Sequence, residues 1–185
     1  WYYDYKLTQP VSFPLVLSDN LTLYAKWLIN DVVYLANDDE TGYILDKYNG
    51  TATIFDIPAE YNGKPVTAIG SEAFSGCADL TSITIENNVT AIGSYAFYNC
   101  KNLTSVKIGN NVRNIGENAF AECYNLTSVA IGNNVKNIGE RAFYAGIKNV
   151  YITDISAWCN IDFGEDNSNP LWGNPTNLYL NGELV

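Results

Sequence analysis

A repeat with a fixed period of 23 residues constrains the fold of this chain more than any other feature. An Ile-Gly pair begins at position 69 and again at 92, 115 and 138, and Phe recurs at 74, 97, 120 and 143. A period of this length is typical of a solenoid, in which each unit buries its apolar face only by stacking on its neighbours. We therefore predict a β-rich solenoid whose regular units span residues 69–146.

The apolar residues of each unit indicate where its strand lies. In the first regular unit, Leu80 is followed by Ile83 and Ile85. Residues two apart project from the same side of a strand, so we expect Ile83 and Ile85 to point inward together.

The residues after this strand predict a corner and a return side. An Asn-Asn pair occurs at 87–88, 110–111 and 133–134, and Asn side chains bond readily to nearby backbone groups in turns. Val89 and Ile92 then begin the return side. The recurring Phe residues are expected to form a ladder in the core.

The chain as a whole divides into three parts. Residues 1–28 are expected to form a partial β module, and residues 29–56 a connector and capping hairpin. The repeats then occupy residues 57–185, with a variant unit at 147–185.

Two local patterns predict elements in these parts. The stretches 43–48 and 51–57 flank Asn49-Gly50, a dipeptide that favours a type I′ hairpin turn. In the variant unit, Asp154 is a suitable N-cap for a short helix. Such a helix would turn its apolar residues toward the core, and these are Ile155, Trp158 and Cys159.

Composition excludes several classes of function. The net charge is −10, so nucleic acid is an improbable partner, because phosphate binding depends on clustered Lys and Arg. The chain has no His, the commonest general base and metal ligand. We therefore expect no enzymatic activity and no cofactor. The longest apolar runs are about five residues, against the ~20 that span a bilayer, so no membrane insertion is expected for this fragment.

Cysteine and acidic residues were weighed as candidate ligands. Cys77, Cys100 and Cys123 follow the repeat period, so we predict buried free thiols, with a disulfide or a metal site as alternatives. The dense acidic runs, at 38–40 and 162–166, lack the spacing of known calcium loops and are predicted to be solvated.

The combined pattern V-x-x-I-G-x-x-A-F-x-x-C-x-x-L-x-x-I-x-I resembles the BspA-type, or Treponema pallidum-type, leucine-rich repeats over residues 41–185. This resemblance implies a right-handed solenoid of stacked short strands with short helical turns. Residues 21–27, Leu-Thr-Leu-Tyr-Ala-Lys-Trp, are similar to the end of a Listeria–Bacteroides surface repeat.

Both resemblances imply a secreted or wall-attached protein of bacteria, or one from a mucosal parasite. They further imply adhesion to host extracellular-matrix proteins or to other bacterial surface proteins. We expect a monomer that uses the concave sheet of the array. The residues expected to face outward from that sheet form the candidate binding face: Ser82, Thr84, Glu86, Ser105, Lys107, Ser128, Ala130, Tyr151 and Thr153, with Gly109 and Gly132 in the same positions.

Two alternatives to protein binding remain open. Trp158 and Trp172 could bind carbohydrate at a C-terminal aromatic loop, because aromatic faces suit sugar rings, although core packing explains them as well. The array could also be a rigid spacer, in which case it would bind no ligand.

Overall fold

The computed structural model describes residues 31–171 and 175–185. The described residues form a β-solenoid built from short strands, one short helix and one short 3-10 helix. The partial β module predicted at residues 1–28 lies outside the described residues. The strands, in chain order, are β1 (Val32–Ala36), β2 (Tyr43–Tyr48), β3 (Ile54–Asp56), β4 (Glu60–Tyr61), β5 (Lys64–Ile69), β6 (Ser82–Ile85), β7 (Ala91–Ile92), β8 (Ser105–Ile108), β9 (Asn114–Ile115), β10 (Ser128–Ala130), β11 (Asn137–Ile138), β12 (Asn149–Ile152), β13 (Asp162–Phe163), β14 (Asn177–Leu180) and β15 (Glu183–Leu184).

Two sheets run along the solenoid, with the apolar core between them. The sheet that we call the front sheet has the strand order β15-β14-β12-β10-β8-β6-β3. The back sheet has the order β1-β2-β5-β7-β9-β11-β13, with β4 paired to β5. Each turn of the chain adds one strand to each sheet, and we call such a turn a rung. Neighbouring rungs pair in parallel, as in Ile83 with Val106 and Ile92 with Ile115.

A ladder of Phe rings fills the core, as the repeat predicted. Phe74, Phe97 and Phe120 are fully buried, and Phe143 is 4% exposed. Successive rings stack nearly parallel at centroid distances of 4.9, 4.9 and 5.2 Å. Equivalent residues therefore pack on one another from rung to rung.

The Phe residues lie on a segment of turns that joins the back sheet to the front sheet, and backbone hydrogen bonds link these segments too. The N–H of Phe74 donates to the carbonyl of Ala96 at 2.7 Å, and the N–H of Phe97 donates to that of Ala119 at 2.7 Å. The bond from Phe120 to the next rung repeats the pattern. These backbone hydrogen bonds form a third ladder between rungs, in addition to the ladders of the two sheets.

The Asn-Asn pairs form corners, as predicted, but they bond to a neighbouring rung. The Asn110 N–H donates to the side-chain oxygen of Asn87 at 2.7 Å, and the Asn111 amide donates to the Asn87 carbonyl at 2.6 Å. Asn133 and Asn134 make the same two bonds to Asn110. The first Asn of each pair therefore accepts from the following rung, and the second donates to the preceding rung. Identical corners stack on one another through these bonds.

The predicted hairpin at Asn49-Gly50 is wrong. β2 pairs with β1 and β5 in the back sheet, whereas β3 pairs with β6 in the front sheet. Neither Asn49 nor Gly50 has the positive φ of a type I′ turn. Tyr48 explains the difference: its ring is buried, and its hydroxyl accepts a hydrogen bond from the Ala52 N–H at 2.9 Å. The chain therefore turns a solenoid corner around this side chain.

A type I′ geometry occurs instead between β4 and β5. Asn62 and Gly63 have φ angles of 49° and 73°, and they form the tip of an exposed hairpin. Next to the tip, Tyr61 stacks on Tyr34 at 4.1 Å, which holds the hairpin against β1. This is the insertion that makes the first unit longer than the regular ones.

The variant unit contains the predicted helix, α1 (Ile155–Cys159), but its buried face is narrower than expected. Asp154 caps it by accepting from the Ala157 N–H at 3.0 Å. Trp158 is buried, whereas Ile155 is 39% exposed and Cys159 is exposed. Assigning Ile155 and Cys159 to the core was wrong, because a helix of five residues turns little more than once and directs one side chain inward.

The segment after α1 closes this last rung. Asp162–Phe163 form β13, which pairs with β11, and a 3-10 helix follows at Asp166–Ser168. Phe163 packs its ring against Trp158 with centroids 5.6 Å apart. β14 then restores the front sheet, and β15 folds back on it antiparallel.

Candidate functional site

The front sheet brings most of the candidate residues onto one outward face. Parallel pairing in register aligns them in two rows that cross the strands. The first row is Ser82, Ser105, Ser128, Asn149 and Asn177. The second row is Thr84, Lys107, Ala130, Tyr151 and Tyr179.

The two remaining candidates lie just past the ends of strands. Glu86 follows β6 and Thr153 follows β12, and both are exposed. The Thr153 hydroxyl donates to the Asn133 side-chain oxygen at 2.8 Å, which ties the variant rung to the regular corner before it. Thr153 therefore has a structural partner as well as a place at the margin of the face.

Gly109 and Gly132 were expected at outward positions of the face. That expectation is wrong, because neither residue contributes exposed surface. Both are buried. A Cβ on Gly132 would lie 2.3 Å from the Gly109 carbonyl oxygen, and one on Gly109 would lie 2.6 Å from that of Glu86. Glycine is needed here because successive backbones approach too closely for any side chain.

Aromatic and charged side chains concentrate in the second row. Tyr151 is 37% exposed and stacks on Tyr179 with ring centroids 4.8 Å apart. Lys107 is exposed, two strands away in the same row. Within residues 31–171 and 175–185 the one ion pair joins Arg141 to Glu140, so the Lys107 ammonium has no carboxylate partner there.

Sequence reasoning missed five residues that the strand register adds to these rows: Ile54 and Asp56 on β3, Asn149 on β12, and Asn177 and Tyr179 on β14. The side-chain amide of Asn177 donates to the side-chain oxygen of Asn149 at 3.1 Å, and Asn177 thereby continues the first row. The alternation of Asn177 and Tyr179 with the inward residues of β14 was the available signal. It was overlooked because β14 follows the irregular variant unit.

Of the two residues proposed for carbohydrate binding, Trp158 lies within the described residues. Trp158 is 8% exposed and packs in the core against Phe163, which argues against a sugar-stacking role for its ring. Trp172 lies outside the described residues. The front-sheet face therefore holds the best-defined candidate site.

The cysteines of the repeat pack as single thiols. Cys100 and Cys123 are fully buried, and their thiols donate to the carbonyls of Phe74 and Phe97 at 3.1 and 3.0 Å. Cys77 is half-buried and Cys159 exposed, and all four are free. In the part of the chain that the structure describes, no three His, Cys, Asp or Glu side chains come together as metal ligands would.

Thiol reactivity should follow this order of exposure. Burial, reinforced by the neighbouring Cys100 thiol, raises the pKa of Cys77 to about 11. At pH 8 only about one Cys77 thiol in 1,000 is then ionised, and its alkylation rate should rise about tenfold per pH unit. With iodoacetamide and peptide mass spectrometry, we expect Cys159 to react first, Cys77 slowly, and Cys100 and Cys123 only on unfolding. Modification of native Cys100 as fast as Cys159 would contradict the described packing.

These features define a class: a β-solenoid repeat protein with a continuous outward sheet face. The chain belongs to the BspA-type leucine-rich repeat family, whose sequence profile matches residues 52–164 in six copies. The predicted resemblance to that family is thereby confirmed over residues 52–164. No curated protein is similar enough to this chain to count as a match.

Solved leucine-rich repeat proteins share the fold. One from Bacteroides ovatus is 24% identical, with a TM-score of 0.66 over 83% of this chain and 40% of that protein. One from Bacteroides capillosus is 30% identical, with a TM-score of 0.61 over 68% of this chain and 96% of that protein. A Treponema pallidum protein is 22% identical, with a TM-score of 0.51 over 73% of this chain and 79% of that protein. The chain thus spans about two fifths of the Bacteroides ovatus protein.

Within the described ranges, no helix has both the length and the apolar composition needed to cross a bilayer.

Proposed function

We propose that the outward face of the front sheet binds another protein outside the cell. The observation that carries the proposal is the alignment of two rows of side chains on one open sheet surface. The partner class is a host extracellular-matrix protein or another bacterial surface protein, and the array acts as a non-enzymatic adhesion module. Membership of a leucine-rich repeat family supports both the class of function and the location.

The composition of the face supports a protein partner. Ser105, Ser128 and Ala130 are small and half-buried, so a partner can approach the sheet closely. Tyr151 and Tyr179 add a rigid aromatic pair at one end, and tyrosine is enriched among the residues that dominate binding energy. Such a face combines a flat surface with one anchoring cluster.

Two added arginines on this face should weaken binding strongly. We expect Ser105→Arg with Ser128→Arg to weaken capture of a matrix or surface-protein ligand at least tenfold, because the new side chains cover the first row. The matched control is Tyr124→Arg with Tyr144→Arg, which adds the same charge at exposed positions on the turn segments. Biolayer interferometry against a panel of purified matrix and bacterial surface proteins measures the effect.

The control pair should change affinity less than about twofold, and both double variants should keep a cooperative melting transition. If the front-sheet pair bound every ligand as the unchanged protein does, the face would be misassigned. If the unchanged protein bound no member of the panel, the proposal of protein adhesion would fail and the rigid-spacer alternative would be preferred.

A further inference from the structure

Tyr151 leaves one face of its ring open toward Ala130. On its other face the ring stacks on Tyr179, with an angle of 15° between the planes. On the open side the paired residue is Ala130, whose methyl group is too short to cover the ring. Among the described residues, Tyr179 is the only aromatic side chain that stacks on Tyr151.

A gap the width of one aromatic ring results. Lys107 pairs with Ala130 and Ala130 with Tyr151, so Lys107 and Tyr151 are two strands apart. Because neighbouring strands lie about 4.8 Å apart, their backbones are separated by about 10 Å. A ring stacked about 3.5–4 Å from Tyr151 fits this space. We call the gap the Ala130 slot: its floor is Ala130, its ends are Lys107 and Tyr151, and Ser128 lies on one side.

The solenoid itself stacks rings at this spacing. Phe97 and Phe120, on adjacent rungs, have centroids 4.9 Å apart and planes within 2° of parallel. A ring placed over Ala130 would continue the outer pair of Tyr151 and Tyr179 in the same way. The slot is one position of an outer ring ladder, open because Ala130 has no ring.

Charge further defines the occupant. The Lys107 ammonium is exposed and has no ion-pair partner within the described residues. A cation at the end of the slot favours the electron-rich face of an aromatic ring and a nearby carboxylate, and it disfavours an incoming Lys or Arg. Ser128 cannot neutralise a second cation.

We propose that the Ala130 slot receives an aromatic side chain of the partner protein, with a carboxylate of the same partner segment at Lys107. The inference rests on the proposed function, since it names the anchor by which a protein would engage this face. It also makes Ala130 a specificity-determining residue, because its small size is what admits the ring.

Two small probes test the slot in the full chain. N-acetyl-L-tryptophan carries an indole and a carboxylate, whereas N-acetyl-L-tryptophanamide carries the indole alone. In an NMR titration that follows the Ala130 methyl and the Tyr151 ring, we expect saturable shifts with a Kd on the order of millimolar, as suits fragments of this size. The acid should bind about fivefold more tightly than the amide, and Lys107→Gln should remove that difference.

The decisive variant is one that fills the slot. Ala130→Tyr should weaken both probes at least tenfold while the protein stays folded, because Tyr151 and Tyr179 already occupy the same row. Ala78→Tyr makes the same change at an exposed position on the turn segment before β6, and as the matched control it should leave both affinities unchanged. Tyr151→Ala removes the stacking surface and should weaken both probes by a similar factor to Ala130→Tyr.

Three outcomes would overturn the inference: no saturable shift at Ala130, equal probe binding by Ala130→Tyr and the unchanged protein, or binding of methyl β-D-glucopyranoside but not of the indoles. The last outcome would indicate a carbohydrate ligand. A protein ligand sensitive to the Ser105 and Ser128 substitutions but not to Ala130→Tyr would contradict the slot and leave the proposed function standing. Absence of any protein ligand would contradict the proposed function, whatever the probes do.

Discussion

Replacing Phe120 with alanine is expected to lower the free energy of unfolding by about 3–5 kcal/mol, because the ring is fully buried. The ring lies between Phe97 and Phe143, at 4.9 and 5.2 Å, so its removal opens a cavity bounded by two rings. The neighbouring rungs cannot close that cavity easily, since the backbone of Phe120 is hydrogen-bonded to Ala142. Urea denaturation followed by circular dichroism measures the loss.

The controls for this prediction separate burial from aromatic character. Tyr144→Ala removes a ring that is 51% exposed on the same turn side, and it should cost much less. Ser94→Ala should be nearly silent, because it deletes one hydroxyl from a half-buried position. Equal midpoints for Phe120→Ala and Ser94→Ala would contradict the ladder of inward rings.

Gly116→Ala is expected to cost about 2–3 kcal/mol, because the new methyl group has no room. A Cβ at this position would lie 2.5 Å from the Ser94 nitrogen and 2.6 Å from the Gly93 carbonyl carbon. Both neighbours are backbone atoms of the preceding rung, so relief requires the two rungs to separate. That separation would weaken hydrogen bonds such as that from the Gly116 N–H to the Ile92 carbonyl, now 2.9 Å.

The variant unit supplies a matched control for Gly116. Gly164 follows β13 as Gly116 follows β9, but a Cβ there would meet its nearest atom, the Glu140 nitrogen, at 3.3 Å. Gly164→Ala should therefore change stability by less than about 1 kcal/mol, with part of any loss offset by the stiffer unfolded chain. A cost for Gly164→Ala as large as that for Gly116→Ala would show that rung spacing is not the cause.

The repeat predicted the interior well, because each interior position is the same in successive units. The Phe ladder and the inward pair Ile83 and Ile85 follow directly from the periods of 23 and two residues. Glycine was harder to interpret. Gly109 looked like an outward position by alternation, but the close approach of the Glu86 backbone requires glycine there. The recurrence of Gly at 109 and 132 does not by itself distinguish such an approach from an outward position.

Local rules failed where the chain departs from the repeat. Asn49-Gly50 resembles a hairpin turn, yet the buried Tyr48 and the parallel pairing of β3 with β6 override that preference. Cys159 follows helical spacing, but α1 is too short to bury it. Tertiary packing around Tyr48 decided the first case, and the length of the helix decided the second.

The candidate site was partly predictable for the same reasons. Period two identified Lys107, Ala130 and Tyr151 as outward residues, but only the strand register shows that they are consecutive in one row. Tyr179 completes that row across a longer unit, so simple repetition did not reveal it. Both the shared row and the position of Tyr179 in it are needed to see that one ring face of Tyr151 is open.

The three hydrogen-bond ladders also bear on how such an array can change length during evolution. The backbone N–H of Thr104 donates to the carbonyl of Thr81, and the Thr104 carbonyl accepts from the N–H of Thr127. Each rung therefore makes the same kind of hydrogen bond to the rung before it and to the rung after it. In-frame duplication or deletion of one 23-residue unit by recombination would therefore join compatible surfaces and preserve the core. Such an event would change the length of the outward rows and the distance between Tyr151 and the start of the array. The length of the binding face could thus change by one rung at a time while the fold stays the same.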